Sequence, residues 1–216
     1  MKKIIISIFL ILAILTTFVA CDDEGENDNK DGISNSDQSN PSPEVEKTTF
    51  DILNELASKS YSKVKLNIST VTGDVELNAV YTLTNSEVTY SVEQLNLLPG
   101  DGNIENASPD YKITFTGSAT IENGNVVKLD GEAVSLPSYK ELKGSFNFKE
   151  SNFKNIQKES GKFNAEVINA SGFLGIEKNI NNMKIVVEYG DVAIPKITIT
   201  YNTTNSAVTT VYEFEK

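Results

Sequence analysis

Val75-Glu76-Leu77-Asn78-Ala79-Val80-Tyr81-Thr82-Leu83 alternates apolar and polar residues, with Val80 the one exception. Its odd-numbered residues therefore share one face of an extended chain, the period-two signature of a strand with one buried side. The same rhythm continues on both flanks. Val64, Leu66 and Ile68 precede it, and Val88, Tyr90 and Val92 follow after a Thr84-Asn85-Ser86 turn. Further along, Tyr111, Ile113, Phe115, Ala119 and Ile121 form another alternating run. Glu122-Asn123-Gly124-Asn125 then predicts a hairpin, because Asn-Gly accepts the positive φ of a type I′ turn. Val127, Leu129 and Ala133 return from it. Later runs are Leu142, Phe146 and Phe148; Phe163, Ala165 and Val167; and Met183, Ile185, Val187 and Tyr189. After a turn at Gly190-Asp191 come Ile197, Ile199 and Tyr201, then Val208, Thr210, Tyr212 and Phe214.

The intervening positions are mostly Thr, Ser, Asn, Lys and Glu, which implies antiparallel strands with one wet face. Helical periodicity occurs once within the folded part. Phe50, Leu53, Leu56, Ala57 and Tyr61 follow an i, i+3, i+4 pattern behind Thr48, an N-cap with Asp51 three residues on as its capping-box partner. Asn96 to Pro109 is the longest irregular stretch. The expected fold is mainly β (α+β): a strongly curved antiparallel sheet of about nine or ten strands, half-open barrel or sandwich-like, with one N-terminal helix. So many strands need a second layer or a curl to bury their apolar face. At the level of architecture this is similar to the half-open barrels of the LolA and LppX-type lipoprotein carriers. No motif is shared with them, and no residue role carries over.

The N-terminus carries a different signal. Met1-Lys2-Lys3 is a short basic start, and Ile4 to Phe18 is an apolar stretch broken by Ser7, Thr16 and Thr17. Phe18-Val19-Ala20-Cys21 closes it with a small residue before the only cysteine, the layout of a secretory signal. These residues resemble the lipobox of bacterial lipoproteins, with Phe18 in place of the usual leucine. The resemblance implies that residues 1–20 are a signal peptide and that Cys21 is diacylated and becomes the mature N-terminus. Two acyl chains, at roughly 0.8 kcal/mol per buried methylene, make a stable anchor. It also implies an extracytoplasmic, membrane-anchored localisation, on the outer membrane or cell surface where the bacterium has two membranes.

Residues 21–47 comprise the lipidated cysteine and an acidic tether, with nine acidic residues between Asp22 and Glu46 against Lys30 and Lys47. Such a composition buries too little apolar surface to offset its ordering entropy, so disorder is expected. The acidic run after Cys21 resembles the surface-export signal of Bacteroidetes lipoproteins. An aspartate directly after the cysteine also resembles the inner-membrane retention signal of enteric bacteria, and both readings stay open. Asn27, Asn29, Asp31 and Gly32 match part of a calcium loop, but Gln38 stands where the bidentate carboxylate belongs, so no metal site is assigned. Residues 48–216 are long enough for one β-rich globular domain.

Composition narrows the chemistry. The chain holds 19 basic and 30 acidic residues, a net charge of −11, with no histidine or tryptophan and one cysteine. All the basic residues are lysine. Histidine acid–base chemistry, His- or Cys-based metal sites and internal disulfides are excluded. Nucleic-acid binding is not expected of an acidic chain without arginine. No cofactor is implied. Carboxylates after the tether are too numerous for any pair to stand out. Ser60-Lys63 and Ser62-Lys65 have the spacing of a serine–lysine pair without the accompanying motifs, so no catalytic residue is assigned and no enzyme is expected. Asn67, Asn106, Asn169 and Asn202 sit in glycosylation sequons, chance matches in an Asn- and Ser-rich bacterial chain.

Candidate ligand-binding residues are Leu97 and Leu98, beside Gly100 and Gly102, as a lid over an apolar cavity. Phe173 and Leu174, between Gly172 and Gly175, mark either a cavity mouth or a plug sealing the core. The tyrosines Tyr81, Tyr90, Tyr111, Tyr189, Tyr201 and Tyr212 either line a pocket or rim a half-buried sheet. Two functions follow. One is a non-enzymatic tethered module that contacts an envelope or host protein partner. The alternative is a carrier of a lipid or other apolar ligand in the concavity of the sheet.

Overall fold

The computed structural model describes residues 47–96, 112–132, 135–175 and 180–216. Cys21, the tether up to residue 46, Leu97, Leu98 and Tyr111 lie outside these residues. The described part opens with helix α1 (Thr49–Ala57) and five strands: β1 (Lys63–Thr72), β2 (Val75–Leu83), β3 (Glu87–Asn96), β4 (Lys112–Glu122) and β5 (Asn125–Gly131). A crossover follows, with the short helix α2 (Tyr139–Lys143) and a 3-10 turn (Glu150–Asn152). The rest is β6 (Phe153–Glu159), β7 (Lys162–Val167), the short helix α3 (Ala170–Leu174), β8 (Asn181–Glu188), β9 (Lys196–Asn202) and β10 (Ala207–Glu215).

All ten strands form one antiparallel sheet in the order β5-β4-β3-β2-β1-β10-β9-β8-β7-β6. It is two meanders joined where the first and last strands pair, from Lys63 opposite Glu215 to Val71 opposite Ala207. The period-two pattern sets that register, because a one-residue slip would turn Val64, Leu66, Val208 and Tyr212 out of the core. On the outer face the same register sets Lys63 against Glu215 at 2.7 Å and Lys65 against Glu213 at 3.4 Å. These exposed ion pairs add little to stability. The β4–β5 hairpin turns through Asn123 (φ 50°) and Gly124 (φ 76°), both in the left-handed region a type I′ turn requires.

The sheet curves but does not close: β5 and β6 end its two sides without pairing to each other. A glycine pair marks where β5 leaves the sheet. Gly117 on β4 faces Gly131, whose φ of 96° suits glycine, and a Cβ on Gly131 would come within 2.5 Å of the Thr116 carbonyl. The chain then crosses the concave face to reach β6. On the way Leu142 and Phe148 become fully buried, and the Tyr212 hydroxyl donates to the Glu141 carbonyl at 3.0 Å.

Helix α1 fills the other part of the concavity. Thr48 and Asp51 form the capping box expected of them, and Phe50, Leu53 and Leu56 are buried. Phe50 packs against Phe153 and Phe163, with ring centroids 6.1 and 5.7 Å apart. Around them Phe148, Phe153, Phe163 and Phe173 interlock at 5.2 to 6.3 Å. Each fully buried aromatic or aliphatic side chain contributes roughly 1.5–3 kcal/mol. Thr48–Lys216 form one compact unit. Among the described residues no helix is long and apolar enough to cross a membrane.

Several local expectations change. Leu142, Phe146 and Phe148 do not form a strand: Leu142 is helical, and the two phenylalanines lie on an extended segment that crosses the sheet rather than joining it. Strand β6 occupies a stretch without alternation, since as an edge strand it buries Phe153 alone. Tyr61 lies beyond α1, which ends at Ala57 with Ser58 as its C-cap. Val127 and Leu129, read as inward-facing, are 51% and 45% exposed, because every residue of edge strand β5 is exposed.

Candidate functional site

One end of the domain carries a cleft of about 490 Å³ between the C-terminal end of α1, the β2–β3 turn and the α2 crossover. Its floor is apolar and buried, formed by Val64, Leu83, Ile194 and Ile197. Tyr61, Tyr139, Phe146 and Phe214 wall it, and Ser60, Thr84, Asn85 and Ser145 lie at its exposed rim. The charged residues lining it are Lys59 and Lys143.

Local chemistry fixes these walls. Asn54 on α1 holds the crossover: its Nδ2 donates to the Phe148 carbonyl at 2.8 Å, and its Oδ1 accepts from the Phe148 N–H at 2.9 Å. Tyr61 closes the opposite side. Its hydroxyl accepts from the Ile194 N–H at 3.0 Å and donates to the Leu56 carbonyl at 3.1 Å, while its ring rests 4.9 Å from that of Phe214. The Lys59 Nζ donates to the Val192 carbonyl at 3.1 Å, which draws the β8–β9 loop against the end of α1. Helix α2 is capped by Ser138 and Glu141 and stops at Gly144, whose φ is 72°. A Cβ there would lie 2.9 Å from the Phe146 ring and 3.0 Å from that of Tyr212, so the bare backbone lets Phe146 fold back under the helix.

The tyrosines divide. Tyr81, Tyr90 and Tyr212 are buried, whereas Tyr189 and Tyr201 are half-buried. Burial, with the Glu141 carboxylate adding to it, pushes the Tyr201 hydroxyl up to about 12 and drives those of Tyr81 and Tyr212 higher still. They stay neutral at ordinary pH and act as hydrogen-bonding, space-filling groups.

Phe173 is buried against Phe148 and Phe153 and Leu174 is half-buried; neither lines the cleft. The serine–lysine spacings bring no dyad together: Lys63 and Lys65 pair with Glu215 and Glu213, and the Ser62 hydroxyl donates to the Glu215 carbonyl. Asn169 of the third sequon is engaged three times, its Oδ1 accepting from the Gly172 N–H at 2.9 Å and the Ser171 hydroxyl at 3.1 Å and its Nδ2 donating to Asn152 at 3.1 Å. A second depression, over β7 to β10, is more open and holds both Glu166 and Lys184. The cleft was not legible from motifs, because its lining comes from five separated segments, around residues 57–61, 83–85 and 143–146, Ile194 and Phe214. No family model matches the chain, and no curated protein matches it.

Proposed function

We propose that the chain is a membrane-anchored, extracytoplasmic bacterial lipoprotein whose folded domain is a non-enzymatic binding module, with the end cleft as its site. The signal-like residues 1–20 and the lipobox-like Cys21 support the anchor. The observation that carries the binding reading is how the concavity is filled. Leu53, Leu142, Phe148, Phe163 and Phe173 occupy it with no more than 1% exposure each, and the cleft sits outside that packing. Carriage of a lipid in the concavity would require it to displace these side chains, each worth a few kcal/mol of buried surface. The cleft falls within the size range of small-molecule sites and needs no such rearrangement. Its lining offers lysines, hydroxyls and two amides but no carboxylate or imidazole, a set suited to holding a ligand rather than to general acid–base turnover.

Metabolic labelling with an alkyne-bearing fatty acid tests the anchor. The full chain is expected to take up the label, and Cys21→Ser to lose it and leave the membrane fraction. Equal labelling of both would end the lipoprotein assignment. Native mass spectrometry of the delipidated chain tests the site. A bound small molecule released by Ile197→Trp, which fills the cleft floor, is the expected result. A ligand retained by that variant would move the site elsewhere.

A further inference from the structure

We infer that the cleft selects an amphipathic oxyanion: an apolar chain or ring bearing a carboxylate or phosphate head. The inference rests on the reading of the cleft as the binding site and names what that site would take.

Charge points to an anion. The chain carries net charge −11, yet the residues lining the cleft include two lysines and no acid. Six lysines elsewhere, Lys63, Lys65, Lys112, Lys128, Lys154 and Lys196, each lie within 4.0 Å of a carboxylate; what sets the cleft apart is that two lysines line it with no acid among them. Among the described residues no carboxylate pairs with Lys59 or Lys143. Lys59 uses one of its three N–H donors on the Val192 carbonyl, a contact that holds its ammonium at the cleft edge and leaves its charge uncompensated. The two lysines come from different elements, one just past α1 and the other at the end of α2, and both line the cleft, so an anion held there would meet positive charge from two separate segments. Rim hydroxyls on Ser60 and Ser145 add neutral donors.

The floor points to the apolar part. Val64, Leu83, Ile194 and Ile197 present no polar side-chain atom, and the four aromatic walls offer flat apolar area. A fully hydrated small anion such as free phosphate would leave that floor unused, and a neutral hydrocarbon would leave both ammonium groups unpaired. An amphiphile lying with its body on the floor and its head at the rim satisfies both. Lysine, a compact point charge without arginine's fork, does not choose between carboxylate and phosphate, so the shared chemistry is an oxyanion.

Photo-crosslinking of the full chain in vesicles of zwitterionic phospholipid tests this. Four diazirine probes of equal chain length would be compared, ending in carboxylate, phosphate, trimethylammonium or a neutral hydroxyl, with labelled peptides read by mass spectrometry. The expected result is labelling of residues 57–61 and 139–146 by one or both oxyanions, with the other two about tenfold weaker. Which oxyanion labels better tells an acyl carboxylate from a lysophospholipid-type phosphate. The Lys59→Gln/Lys143→Gln variant, with its fold checked by circular dichroism, should lose oxyanion labelling about tenfold. Lys143→Glu, an exposed change, should do so alone. Equal labelling by the trimethylammonium or hydroxyl probe would overturn the oxyanion assignment and leave the cleft as a site. Absence of cleft labelling by all four would overturn both.

Discussion

The side-chain amide of Asn54 is bonded at both ends to the backbone of Phe148, donating to its carbonyl at 2.8 Å and accepting from its N–H at 2.9 Å. The helix thereby gives the crossover the hydrogen bonds a neighbouring strand would have supplied. Phe148 can lie across the sheet, fully buried, without orphaned backbone groups. The same contact sets one wall of the cleft.

Asn54→Ala should therefore destabilise the domain by about 2–4 kcal/mol, because it leaves a donor and an acceptor unsatisfied together. Asn54→Asp should also destabilise, since a carboxylate can accept from the Phe148 N–H but repels its carbonyl. Urea unfolding followed by tyrosine fluorescence measures both. A loss below about 0.5 kcal/mol for the alanine variant, the size of an ordinary surface change, would show that water replaces the amide.

Gly117 should be nearly immutable for a steric reason. A Cβ there would sit 2.3 Å from both the Tyr90 hydroxyl and the Asp130 carbonyl. Tyr90 crosses over this glycine to donate to the carbonyls of Asp130 and Glu132, tying β3 to the end of β5. Gly117→Ala is expected to cost about 1–3 kcal/mol through overpacking. Tyr90→Phe removes the hydroxyl for about 1 kcal/mol, yet should not rescue Gly117→Ala, because the backbone oxygen remains. A double-mutant cycle by chemical denaturation reads this directly. Full rescue would place the whole clash on the tyrosine.

Most strands were legible because their alternation reports a buried face, as in β2 and β10. The failures have two causes: partners that lie far away in sequence, and edge strands that bury little of either face. Phe146 and Phe148 are two apart like strand neighbours, but Asn54 and Phe173 decide their place. Strand β6 was hidden because, at an edge, it buries only Phe153, and its register shifts around Asn155, whose φ is 52°. Thr48 and Asp51, three residues apart, needed only local chemistry, and the helix start was read correctly. The cleft depends on five remote segments and left no local signature.

Edge strand β5 gives a prediction about solubility rather than stability. Val126, Val127 and Leu129 are 51%, 51% and 45% exposed on a strand that ends the sheet. Unpaired apolar edges template association, and a charge at such a position suppresses it. Leu129→Lys should change folding stability by no more than about 0.5 kcal/mol while raising the concentration at which light scattering appears on heating. A large stability loss would show that Leu129 is packed in solution.

The buried tyrosines predict how the domain fails in alkali. Burial raises the Tyr201 hydroxyl from its ordinary 10.0 to about 12, and those of Tyr81 and Tyr212 further in the same direction. A group whose folded pKa exceeds its unfolded value contributes stability that is fully present below the unfolded pKa. Above pH 10 the unfolded chain ionises its tyrosines first and binds fewer protons than the native state, so stability should fall as pH rises towards 12. Unfolding and tyrosinate absorbance should then rise together in a spectrophotometric titration. Tyr212→Phe removes one such proton and should make the pH dependence shallower, while losing the 3.0 Å bond to the Glu141 carbonyl for about 1 kcal/mol at neutral pH. Tyrosine ionisation completed well before unfolding would mean that water reaches these hydroxyls in the native state and that burial does not hold them neutral.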